Sequence, residues 1–83
     1  MKTILITMYY IDVAYDNVDD TESKSIQADF LITLFDRGLD KCVVTLQVLK
    51  NRTLSASTED SRKAYEISDI MKNSVSMFGG ELI

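Results

Sequence analysis

The chain has 83 residues, of which 46% are hydrophobic and 27% are charged, a composition typical of one folded domain over residues 1–83 rather than a disordered chain. Nine basic residues against thirteen acidic residues give a net charge of −4, so the chain lacks the basic surface that binds phosphates. We therefore predict no direct contact with nucleic acid.

The absence of histidine excludes Ser-His and Cys-His catalysis and histidine-based zinc sites within this chain. No phosphate-binding glycine motif and no Cys-x-x-Cys pair is present. The sequence thus predicts a non-enzymatic protein with no cofactor.

No apolar run reaches the length of about 18 residues that a membrane-spanning helix needs, so we expect no membrane contact. Cys42 is the only cysteine and fits a reducing compartment. With no cleavage site after Met1-Lys2, these features predict a cytoplasmic protein.

Thr3–Tyr15 is the most hydrophobic stretch, with ten apolar or aromatic residues among thirteen. Its β-branched and aromatic residues favour a strand, and both faces of that strand are largely apolar. A polar loop at residues 16–25 follows. Ile26–Phe35 then alternates apolar and polar positions, which predicts a second strand.

Gly38 predicts a hairpin turn before a third strand at Lys41–Lys50, and Thr53–Ala56 can extend beside that strand. A helix capped by Ser57 or Thr58 follows. Gly79-Gly80 ends this helix. Its apolar stripe comprises Ala64, Ile67, Met71, Val75 and Phe78.

These elements predict an α+β fold in the order β-β-β-α: a three-stranded antiparallel meander with one C-terminal helix packed on one face. In this arrangement Ile32 of the second strand meets Ile67 of the helix in the core. The opposite face of the sheet has no cover. We therefore predict a homo-oligomer whose self-association surface comprises Tyr9, Ile11, Tyr15, Leu31, Phe35, Val43 and Leu49.

Five acids and no base occur within residues 12–22: Asp12, Asp16, Asp19, Asp20 and Glu22. The cluster is either a solvated loop or a patch that docks on the basic surface of a partner protein. A calcium loop is the weaker alternative, because the spacing lacks the glycine of the calcium-binding pattern.

Small acidic chains without catalytic residues are typical of proteins that act by binding. By analogy, the sequence favours an inhibitor or an anti-defence factor of the phage or mobile-element type. One alternative is an acidic nucleic-acid mimic or a regulator of a nucleic-acid-binding enzyme. Another is a small enzyme that uses carboxylates, or a calcium binder.

Overall fold

The computed structural model describes residues 7–49 and 52–83 of the chain. The elements follow in the order β1 (Tyr9–Asp16), α1 (Asp20–Asp36), a 3-10 turn (Asp40–Cys42), β2 (Val43–Leu49), β3 (Thr53–Thr58), α2 (Ser61–Met77) and β4 (Glu81–Leu82). This is the β-α-β-β-α-β order of the split β-α-β motif. The predicted β-β-β-α order with one C-terminal helix is therefore wrong.

The sheet has the strand order β2-β3-β1-β4, and every neighbouring pair is antiparallel. β1 lies inside the sheet, where Ile11 pairs with Ala56 of β3 and Tyr15 pairs with Leu82 of β4. β2 and β3 form a hairpin, which confirms that Thr53–Ala56 extends beside the preceding strand. The part of the predicted first strand at residues 3–6 lies outside the described residues.

The segment predicted as the second strand, Ile26–Phe35, belongs to helix α1. Its buried residues Ile26, Phe30 and Leu34 are four positions apart, which places them on one helix face. Residues four positions apart also lie on one face of a strand, whose side chains alternate every two residues. The same spacing therefore fits both structures. Only three of its ten residues are β-branched, so the composition does not require a strand, and packing of the buried face favours the helix.

The start of α1 also carries a helix signal that the prediction of a polar loop overlooked. Asp19 is the N-cap, and its side chain accepts a hydrogen bond from the Glu22 amide at 2.8 Å. An aspartate followed three residues later by glutamate is the spacing of a capping box. Gly38 has the expected positive φ, +69°, but it follows a helix, so the predicted hairpin turn between two strands is wrong.

Helix α2 confirms most of what its periodicity predicts. Ile67, Met71 and Val75 are buried, and Ala64 and Phe78 pack against the core. The predicted caps Ser57 and Thr58 are wrong: both belong to β3. The structure instead uses Asp60, which accepts from the amides of residues 62 and 63. Gly79 ends the helix with φ +76°, as expected.

The core lies between the helices and one face of the sheet. α2 contacts β1 and β3, and α1 packs beside α2. Ser74 of α2 donates a hydrogen bond to Asp29 of α1 at 2.7 Å, which ties the two helices together. Ile67 is fully buried, but Ile32 is 59% exposed, so the predicted contact between them in the core is wrong.

Candidate functional site

The acidic residues predicted as a docking patch fall at two places. Asp16, Asp19, Asp20 and Glu22 gather where β1 ends and α1 begins. Asp12 lies four residues back along β1, roughly 13 Å from Asp16 at the rise of a strand. The fold therefore separates Asp12 from the four acids at the α1 start.

The fold places a base, Arg52, beside the acids at the start of α1. The guanidinium of Arg52 donates to the carbonyl of Val18 and lies 3.5 Å from an oxygen of Asp20. Arg52 is 32 residues from Asp20 in sequence, so no local pattern signals the pair. On the same side, Asn17 donates to Glu81 of β4 at 2.7 Å.

These contacts give part of the acidic patch a structural role. Asp19 caps α1, and Asp20 pairs with Arg52, although that pair is solvent-exposed and contributes little to stability. Among the residues that the structure describes, no group of three or more metal-binding side chains is placed to hold an ion. The calcium alternative therefore gains no support from the geometry.

The face of the sheet turned away from the helices is polar along β1 and β3. Tyr10, Asp12, Ser55 and Ser57 share this face because they alternate with the buried positions of their strands. The register sets Tyr10 beside Ser57 and Asp12 beside Ser55. Ser55 donates its hydroxyl hydrogen to Asp12 at 2.6 Å.

The part of this sheet face that the structure describes does not have the chemistry of a nucleic-acid platform. Such platforms combine stacked aromatic side chains with basic side chains. In the described part of this face, β1 offers one exposed aromatic ring, Tyr10, together with the carboxylate of Asp12. β3 offers the half-buried Ser55, while Ser57 is buried. A phosphate backbone is repelled by that carboxylate.

Helix α1 has a second apolar face. The prediction of a strand for this segment did not identify it. Ala28, Leu31, Ile32 and Phe35 follow the helical spacing of three and four residues, and we call them the α1 stripe. At 100° per residue the α1 stripe lies nearly opposite the buried positions of the helix. Ile32 is 59% exposed and Phe35 is 66% exposed, so this apolar face meets solvent.

The residues predicted for self-association fall into different environments. Ile11 and Tyr15 are buried in the core, and Val43 packs against it. Tyr9 is partly exposed at the start of β1. Two further residues, Leu31 and Phe35, belong to the α1 stripe, while the side chain of Leu49 lies outside the described part of the chain.

A shallow depression lies at the start of α2. Its lining includes no residue of the α1 stripe and none of the polar residues named on the sheet face. It is lined by Lys41, Cys42, Thr58, Glu59 and Asp60. Cys42 is a free, half-buried cysteine. Without a histidine in the sequence to activate its thiol, this depression offers no nucleophilic pair.

Neither of the helices within residues 7–49 and 52–83 is long and apolar enough to cross a membrane. Comparison of the chain with protein-family models, with curated proteins and with solved structures finds no match. The functional interpretation therefore depends on the two surfaces described above, the α1 stripe and the polar sheet face.

Proposed function

We propose that this protein is a non-catalytic interaction module that associates with a second copy of itself through the α1 stripe. The observation that carries the proposal is the exposed apolar face of α1, opposite the face that packs in the core. Contiguous apolar side chains on a monomer surface are a common mark of a protein interface. A surface helix normally keeps only one apolar face.

The sizes of the side chains in the α1 stripe suit an antiparallel pair of helices. A twofold axis between Leu31 and Ile32 sets each of these residues against the other in the partner. The same axis sets the small Ala28 against the large Phe35. In a twofold dimer the same patch of both copies forms the interface. The patch must therefore be complementary to itself, as the α1 stripe is.

The charges along α1 also favour the antiparallel direction. The start of the helix carries the acids Asp20 and Glu22, whereas acids and bases balance around its end: Asp36, Arg37, Asp40 and Lys41. Antiparallel packing keeps the acidic starts of the two helices apart, and it also opposes the helix dipoles. A parallel pair would bring the two acidic starts together.

Lys24 and Asp36 give a more specific pair at the edges of the α1 stripe. Both side chains are exposed, and they lie about 18 Å apart along the helix. With the axis at the middle of the stripe, Lys24 of one copy lies about one turn from Asp36 of the other. A lysine side chain is long enough to span that distance.

Association through the helices leaves the polar sheet face open on the opposite side of each copy. We propose that this face serves a second protein partner with a basic surface, and that the chain acts as an inhibitor or anti-defence factor by occupying that partner. The acidic excess of the chain supports such a partner, because opposite charges speed association. The lone Cys42 supports a cytoplasmic setting for this activity.

Sedimentation equilibrium at micromolar concentration tests the proposal. The wild type should have twice its chain mass of 9.4 kDa. Ile32→Lys places a charge in the α1 stripe and should sediment as a monomer. Tyr65→Lys is the matched control, because Tyr65 is also exposed but lies on α2.

The control should remain dimeric, and both variants should keep the helix content of the wild type by circular dichroism. A monomeric wild type would overturn the proposal. So would Ile32→Lys and Tyr65→Lys dissociating equally, because the apolar face of α1 would then have no special role.

A further inference from the structure

We infer that the polar sheet face binds an arginine side chain of the partner protein, between Tyr10 and Asp12. This inference deepens the proposed function, since it assumes that the chain acts by binding proteins. It names the site on this chain and the chemistry that the site recognises. The polar sheet face does not include the α1 stripe, so the two proposals can fail separately.

The first component of the site is the carboxylate of Asp12. One of its oxygens accepts the hydrogen bond from Ser55 at 2.6 Å, which fixes the orientation of the group. Among the described residues, no base lies within ion-pair distance of Asp12. By contrast, Asp20 already has Arg52 beside it. Asp12 is therefore an oriented carboxylate that forms no ion pair within the described residues and is open to a cationic ligand.

The second component is the ring of Tyr10, two residues before Asp12 on the same face of β1. Its side chain is 77% exposed, so the face of the ring is open to a ligand. A guanidinium is planar and stacks on aromatic rings while it donates hydrogen bonds in its own plane. Residues two apart on a strand are about 6.6 Å apart, which suits one guanidinium that contacts both.

A third observation comes from Ser57, which the register sets beside Tyr10. The Ser57 hydroxyl oxygen is enclosed and has no hydrogen-bond partner among the described residues. An unpaired buried hydroxyl is uncommon because it is costly. A guanidinium carries five N–H donors, so one that pairs with Asp12 retains donors for a second acceptor on this face.

Arginine fits these three groups better than lysine does. The lysine ammonium is a point charge that pairs with Asp12 but does not stack as a plane on Tyr10. The site therefore predicts a preference for arginine over lysine. A simple attraction between an acidic protein and any cation predicts no such preference.

Titration with tetra-arginine and tetra-lysine peptides, followed by two-dimensional NMR of the full chain, tests the inference. Tetra-arginine should shift the amide signals of Tyr10, Asp12 and Ser55. It should bind about two- to fivefold more tightly than tetra-lysine, the range that a cation–π contact at an exposed site provides. The Ile32→Lys variant should give the same shifts, because the sheet face does not depend on the α1 stripe.

Two variants and one control locate the effect. Asp12→Asn should weaken tetra-arginine binding by about threefold or more, as expected for loss of an exposed ion pair. Tyr10→Leu should abolish the preference for arginine over lysine. Asp69→Asn removes an exposed acid on α2 and should change neither property.

Two results would overturn the inference. One is a set of shifts centred on Asp16–Glu22 instead of the sheet face, which would show attraction to the acids at the α1 start. The other is an equal effect of Asp12→Asn and Asp69→Asn, which would show that only the net charge matters. Neither result bears on self-association through the α1 stripe, which the solution mass reports independently.

Discussion

The hydroxyl oxygen of Tyr15 lies 2.7 Å from the hydroxyl oxygen of Ser23, and both residues are buried. This hydrogen bond joins the end of β1 to the first turn of α1, so it fixes the helix against the strand that precedes it. Strand alternation places Tyr15 on the core face of β1 and Tyr10 on the opposite face. A buried tyrosine needs a partner for its hydroxyl, and Ser23 provides it.

Tyr15→Phe should therefore destabilise the fold by about 1 kcal/mol, because it leaves the Ser23 hydroxyl buried without its partner. Ser23→Ala should cost a similar amount. The double variant should cost less than the sum of the two, since either change removes the same bond. Urea unfolding of the four proteins measures these values, and strict additivity would contradict the bond.

Ile67 and Ile32 should respond very differently to truncation. Ile67 is fully buried, so Ile67→Ala should cost about 2–5 kcal/mol. Ile32 is mostly exposed, and Ile32→Ala should stay within about 0.5 kcal/mol. Thermal unfolding should be measured at a concentration where the chain is monomeric. Equal losses of stability for the two variants would contradict this account. They would instead support the strand interpretation of Ile26–Phe35, in which Ile32 lies in the core.

The difference between the two helices shows what sequence periodicity can and cannot predict. α2 has one apolar stripe and one polar face, so the spacing of Ile67, Met71 and Val75 identifies it directly. α1 is apolar on two opposite faces, and its sequence alternates as a strand does. The capping pair Asp19 and Glu22 was the available signal for a helix.

The candidate site, like the two helices, could be predicted only in part from the sequence. The acids of residues 12–22 are evident in the sequence, but their division into a helix start and a sheet face depends on the fold. The contacts of Arg52 with Val18 and Asp20 join parts of the chain more than thirty residues apart. No local pattern specifies such pairs, because strand register and turn geometry determine them.

Asp19 should contribute to folding, unlike its neighbour Asp16. Asp19→Ala removes the N-cap of α1 and should cost about 1 kcal/mol. Asp19→Asn should cost much less, since asparagine also caps helices. Asp16→Ala is the control, because Asp16 is exposed at the end of β1. If urea midpoints show the same loss for Asp19→Ala and Asp16→Ala, the cap has no measurable role.

A charge exchange tests the direction of the helices in the proposed dimer. Lys24→Glu and Asp36→Lys should each weaken association by up to about fivefold, because each sets like charges against each other. The double variant should recover the affinity of the wild type, since it restores the pair with reversed signs. Sedimentation at several concentrations gives the constants. A double variant that is weaker than both single variants would contradict the antiparallel arrangement.

Disulfide trapping across the proposed twofold axis tests the α1 stripe most directly. Leu31→Cys in a Cys42→Ser background places one thiol per chain beside the axis. Under mild oxidation this variant should form a covalent dimer much faster than Tyr65→Cys in the same background, whose thiol is exposed on α2. Rapid trapping of Leu31→Cys alone is the predicted result. Equal, slow trapping of both variants would contradict association through α1.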